Sequence, residues 1–343
     1  MSIQTPPRVV VADDSAMMRH IVSSSLSRAG VQIVGSASNG DEALAACERE
    51  RPDALMLDLS MPGLDGIGVL RALRQTGRSD MPVIVVSAFS PAQGARAVDA
   101  LAEGAFDLVA KPAVGEGLDG FAKTLVTKVE AATGGRRSRV ANGSPVRQQR
   151  RAVRSSVSRA VLIATSTGGP KALAALMPQL PAPLGVGTLI VQHMPPGFTK
   201  SLAARLDQAS ALEIREADGG ETLNPRVALL APGGKHMRVA TGGRVSLTDE
   251  PEIGSLRPRA DLTIADAAKV FGERTLLVVM TGMGNDGLAG AEEVKRRGGR
   301  ILVEAESTCT VYGMPRAVEE AKLADEVLPL HELADAIAQE AAV

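Results

Sequence analysis

The stretch "RVVVADDSAMMRHIVSSSLSRAG", residues 8–30, sets the architecture of the first half of the chain. A run of valines reads as a short strand, two aspartates end it, and the remainder places apolar residues at helical spacing. That is one βα unit. Similar apolar runs recur at 32–36, 54–59, 82–87 and 106–110, separated by segments such as "DEALAACERE" that read as amphipathic helices. Five strands alternating with helices predict a doubly wound parallel sheet.

Working outward, residues 134–159 hold eight arginines and no acidic residue, with almost no apolar periodicity. They read as a flexible basic linker, with a docking or nucleic-acid patch as the alternative. A second α/β pattern follows, with strands near 160–164, 186–192, 227–231, 275–280 and 300–304. The stretch "VATGGRVSLTD" reads as a hairpin inserted into it. The expected organisation is a first domain over 1–133, a linker over 134–157 and a second domain over 158–343.

Composition narrows the function. The chain has 343 residues and a net charge of −1, with 45% hydrophobic and 22% charged residues, so it shows no global excess that would favour nucleic acid or a membrane surface. With five Phe, one Tyr and no Trp, stacking platforms for single strands are hard to build. Residues 172–199 lack formal charge apart from His193, but five prolines interrupt them, which argues against membrane insertion. No signal peptide is evident at the start, and two distant cysteines, Cys47 and Cys309, predict a reducing, cytoplasmic setting.

In parallel sheets, the carboxyl ends of the strands converge on one crevice. Asp13 and Asp14 follow the first strand, Asp58 ends the third, Ser87 ends the fourth and Lys111 follows the fifth. Three carboxylates gathered there need a hard cation such as Mg²⁺ between them. A carboxylate beside that metal can accept a phosphoryl group. The competing reading makes each Asp a helix cap. The motifs "ADDSAMMR", "LDLSMPGLDG", "VSA" and "GAFDLVAKP" resemble a response-regulator receiver domain, a flavodoxin-like fold. The resemblance implies Asp58 as phosphoacceptor, Asp13 and Asp14 as further Mg²⁺ ligands, and Ser87 and Lys111 as switch residues.

The second half opens with "VLIATSTGGPKALAAL", residues 161–176, a strand that breaks into hydroxyls and glycines before a helix. It lacks both a P-loop lysine and a full G-x-G-x-x-G, so a phosphate cradle is disfavoured. The spacing Ala164-x-Ser166-x-Gly168 is one residue from a nucleophile elbow, and the local motif leaves nucleophile and helix cap both open. His193, at the end of the strand "VGTLIVQ", is the preferred base over His236 in the loop "PGGKHMRV". Asp286 in "TGMGNDG" supplies an orienting carboxylate. That loop also fits a dinucleotide fingerprint, but an acidic residue inside it would oppose a pyrophosphate. Cys309 reads as packing rather than as a nucleophile.

Together "TSTGGP", "QHMPPGFT", "APGGKHM", "LTIADAA", "TGMGNDG" and "CTVYGMPRAV" resemble the chemotaxis-type protein-glutamate methylesterases. The resemblance implies a Rossmann-like three-layer domain needing no cofactor, with a Ser166–His193–Asp286 triad and an oxyanion site at the amides near Thr167 and Met283. It also implies a methylated chemoreceptor cytoplasmic domain as substrate, glutamine deamidation as a second activity, a histidine kinase as phosphoryl donor, and a receiver that restrains the esterase until Asp58 is phosphorylated. Ala164-Thr165 and Arg259 depart from the family pattern, which has Gly-Ala before the nucleophile and a serine in "RPRAD".

Overall fold

The computed structural model describes residues 5–78, 80–88, 90–112, 115, 117–138 and 158–341. The chain divides into two compact units. The first is built from β1 (Arg8–Ala12), α1 (Ala16–Arg28), β2 (Gln32–Ala37), α2 (Gly40–Glu50), β3 (Ala54–Leu57), α3 (Gly66–Gln75), β4 (Val83–Ser87), α4 (Pro91–Ala102), β5 (Asp107–Ala110) and α5 (Leu118–Ser138). All its strand pairs are parallel, in the order β2-β1-β3-β4-β5. Val9, Val11, Met56, Ile84 and Val86 bury one sheet face against Val22 and Leu26 of α1 and Phe121, Leu125 and Val129 of α5. Helix α5 runs to Ser138, into the segment read as a linker, and 139–157 lie outside the described residues.

Helices α1 to α4 start on local side chains: Ser15, Asn39, Asp65 and Ser90 accept the amides of Met18, Glu42, Gly68 and Gln93. The caps of α1 and α3 are therefore Ser15 and Asp65, and the cap reading of Asp14 and Asp58 fails. Those carboxylates are left for other work at the point between β1 and β3 where strand order reverses.

The second unit carries β6 (Ala160–Thr165), α6 (Gly169–Leu176), β7 (Gly187–Gln192), α7 (Phe198–Asp207), β8 (Glu213–Glu216), β9 (Val227–Leu230), β10 (His236–Ala240), β11 (Arg244–Thr248) and α8 (Ala260–Phe271). It continues through β12 (Thr275–Val279), α9 (Leu288–Arg296), β13 (Arg300–Glu304), α10 (Met314–Glu320), β14 (Glu326–Leu328) and α11 (Leu330–Ala341). Seven parallel strands run in the order β14-β13-β12-β6-β7-β9-β8. The central strands read as unbroken apolar runs because helices cover both faces. The reversal of order falls between β6 and β12.

The inserted hairpin is β10–β11, antiparallel, turning at Gly242 and Gly243, both with φ +76°. It begins earlier than the sequence suggests. His236, expected in a loop, is the first residue of β10 and fully buried.

Candidate active site

Strands β6 and β7 pair with Thr165 opposite Gln192, so Ser166 and His193 leave the sheet side by side. The backbone holds that register past the strand ends: the His193 amide donates to the Thr165 carbonyl at 3.1 Å, and the Ser166 amide to the Thr281 carbonyl at 3.0 Å. Gln192 Nε2 donates to the carbonyls of Ser166 (2.9 Å) and His193 (3.0 Å), fixing both bends from below. The chain then turns through Gly168 at φ +80°, where a Cβ would lie 2.4 Å from Thr310 Cβ. The Thr165 hydroxyl donates to the Thr281 carbonyl at 2.7 Å, tying the bend to the loop after β12. Helix α6 starts on Gly168 with no side-chain cap, so Ser166 is not a cap.

Asp286 is almost fully buried, and its carboxylate is surrounded by donors. Oδ2 accepts His193 Nε2 and the Ala260 amide, each at 2.7 Å. Oδ1 accepts the amides of Asp261 (2.9 Å) and Gly287 (3.0 Å), with Arg259 Nε also 3.0 Å away. Burial by itself raises the carboxyl's pKa, but the hydrogen bond and charge of His193, with the Asp261 and Ala260 amides, hold it well below the usual carboxylate range. With Nε2 committed to Asp286, the other ring nitrogen, Nδ1, is buried and has no hydrogen-bond partner. It is the nitrogen available to take a proton.

The loop after β12 closes the site from the other side. Gly282 lies so close to the serine that a Cβ there would meet Ser166 Cβ at 2.9 Å and Met314 Sδ at 2.4 Å. This brings the Met283 segment to the Ser166 bend. Thr167 is buried, and its carbonyl accepts the Thr281 hydroxyl at 2.9 Å. Behind them Glu304 is fully buried, accepting from the Thr281 amide (2.8 Å) and the Thr308 hydroxyl (3.0 Å).

His236 is used up structurally: Nδ1 accepts the Arg259 amide and Nε2 bonds the Pro251 carbonyl, both at 3.2 Å. Cys309 is buried, and burial together with Glu304 pushes its thiol far up, out of the range of a nucleophile. Sequence reasoning placed Arg259 only as a departure from a motif and missed that it turns onto Asp286. It also missed Gln192, Thr281 and Glu304, which no motif of reactive residues marks.

In the first unit, Asp13, Asp14 and Asp58 offer oxygens within 4.8 Å of one another. Lys111 Nζ sits 2.7 Å from Asp13 and 2.9 Å from Asp58. Its amide donates to the Ser87 carbonyl at 2.8 Å, so the two switch candidates are tied together. Burial raises Asp13's pKa, and Lys111 only partly offsets that. An all-oxygen set short of positive charge fits Mg²⁺.

The CheB methylesterase family model matches residues 161–337, and the response regulator receiver domain model matches residues 9–119. The chain belongs to the CheB methylesterase family. The CheB-family likeness extends over nearly its whole length. A protein-glutamate methylesterase/protein-glutamine glutaminase of Symbiobacterium thermophilum is 42% identical, covering 98% of this chain and 97% of that protein. One of the same name from Clostridium acetobutylicum is 37% identical, covering 96% of each. The crystal structure of the Thermotoga maritima CheB methylesterase catalytic domain is similar with TM-score 0.52 and 42% identity, covering 53% of this chain and 98% of that one. This CheB-family chain is thus an enzyme of the methylesterase class carrying a receiver domain. No helix among its described residues is long and apolar enough to cross a membrane.

Proposed function

We propose that Ser166 attacks the γ-carbonyl of a glutamyl methyl ester while His193 Nδ1 takes the hydroxyl proton. The proton passes to the departing methoxide, methanol leaves, and water cleaves the acyl-enzyme to give glutamate and free serine. Asp286 holds the imidazole in the tautomer with Nε2–H and balances the imidazolium. Amides at Thr167 and Met283 stabilise the tetrahedral oxyanion. The same sequence on a glutamine amide releases ammonia, the second activity in the relatives' names. The observation that supports this reading is the His193 Nε2–Asp286 bond, which leaves Nδ1 unpartnered beside the strand that delivers Ser166.

On this reading the substrate is the methylated cytoplasmic domain of a chemoreceptor, and the enzyme works in the cytoplasm. Asp58 accepts a phosphoryl group from a histidine kinase, and that event raises esterase turnover. Mg²⁺ held by Asp13, Asp14 and Asp58 would neutralise charge on the incoming group. The test is methanol release from methylated receptor membranes by wild type and Ser166→Ala, with and without a small phosphodonor. Wild-type turnover should rise with the donor, and Ser166→Ala should be inert in both arms. Methanol release by Ser166→Ala at the wild-type rate would remove the nucleophile assignment.

A further inference from the structure

Helices α8 and α9 exchange caps. Asp286, just before α9, accepts the Ala260 and Asp261 amides that open α8, and Asp261 Oδ1 accepts the Gly287 (2.8 Å) and Gly290 (2.9 Å) amides that open α9. The exchange sets two carboxylates against each other in a buried place. Arg259 lies between them: Nε is 3.0 Å from Asp286 Oδ1, and one terminal nitrogen is 2.8 Å from Asp261 Oδ2. Its other terminal nitrogen donates to the Ile253 carbonyl at 3.3 Å, and its amide is pinned by His236, so the fork has little freedom to swing away. We propose that Arg259 is a positioning residue of the esterase: it cancels the repulsion between Asp261 and Asp286 and so keeps Asp286 ionised as the acceptor of His193 Nε2–H. This rests on the reading of Asp286 and His193 given above.

The groups facing Asp286 are His193 from the end of β7, and Arg259 and Asp261 from the start of α8. Burial and the neighbouring Asp286 charge already raise Asp261's pKa. Without the guanidinium, one carboxyl of the pair binds a proton more tightly. With that positive charge gone, the His193–Asp286 pair as a whole holds a proton to higher pH, so the base form of the site, and turnover with it, is lost at a higher pH.

The test is kcat and KM against pH for methyl-ester hydrolysis by the full chain. Arg259→Gln should lower kcat by about 10- to 100-fold at neutral pH with KM unchanged, and raise the acid limb by roughly one to three pH units. Arg259→Gln/Asp261→Asn should return the limb and most of kcat, because the carboxamide oxygen introduced by the second substitution can still accept the two amides that open α9. Arg259→Lys, which keeps the charge, should hold the wild-type limb. A wild-type limb in Arg259→Gln, no recovery in the double variant, or a raised limb in Arg259→Lys would each overturn the proposal. Asp286→Asn run alongside separates the two readings. Full turnover there would sink the triad itself, whereas a dead Asp286→Asn beside an unaffected Arg259→Gln would sink only the role of Arg259.

Discussion

Asp286 is nearly closed to solvent, a setting that favours the neutral acid, yet His193, Arg259 and three backbone amides converge on its two oxygens. Its folded-state pKa therefore lies below the unfolded value of about 3.9. Ionisation of Asp286 stabilises the fold above that unfolded value, and the contribution is lost as pH falls through it toward the folded one. Asp286→Asn should be less acid-sensitive in urea denaturation than wild type, while methyl-ester turnover drops by about 10⁴-fold through the wrong imidazole tautomer. His236→Ala should behave oppositely. It strands the Arg259 amide and the Pro251 carbonyl, costing about 1–3 kcal/mol in denaturation, with far less effect on turnover. A larger turnover loss in His236→Ala than in Asp286→Asn would reverse their roles. The places of Ser166 and His193 just past β6 and β7, and of Asp286 in the loop after β12, were legible because the apolar runs mark where each strand ends. Arg259 was not, since its partner Asp286 lies on a different loop and nothing in "RPRAD" points there.

At the scale of elements, the bend between β6 and α6 depends on a glycine. Gly168→Ala would need a left-handed backbone for a residue with a Cβ and would drive that carbon into Thr310. Strain and overpacking together predict a loss of about 2–4 kcal/mol, read from the denaturation midpoint, and a displaced serine that lowers kcat. Unchanged midpoint and kcat would show that the bend tolerates a side chain. Most of the strands were legible from their apolar runs, but β8 and β14 were not. β8 reads "EIRE" with only Ile214 buried, and β14 has three residues. Both close the ends of the sheet, where one side lacks a neighbour and solvent permits charge. The caps of α8 and α9 escaped for another reason, since each is supplied by the partner helix rather than by the residue before its own first turn.

At the scale of the molecule, each unit has its own core and its own set of charged groups. Asp58→Asn should abolish Mg²⁺-dependent phosphoryl uptake and the response of turnover to phosphodonor, while the unphosphorylated esterase rate persists. Labelled phosphate retained by that variant would move the acceptor elsewhere. Mg²⁺ at one hundred times its Kd should stabilise the first unit by about 2.7 kcal/mol, and Asp13→Asn should abolish that gain. A melting temperature indifferent to Mg²⁺ in wild type would exclude the three-aspartate site.

The order β14-β13-β12-β6-β7-β9-β8 has a further consequence. Every strand on one side of the β6–β12 seam precedes α8 in the chain, and every strand on the other side follows it, so the sheet is two contiguous halves that pair along β6 and β12. Ser166 and His193 belong to one half and Asp286 to the other. The chain can therefore be severed at the exposed Gly254–Ser255 turn without cutting either half of the sheet. Co-expressed fragments ending and beginning there should reassemble into an active esterase, and each alone should be inert. Recovered turnover then measures how tightly the two halves bind, which makes this enzyme a reporter of its own complementation.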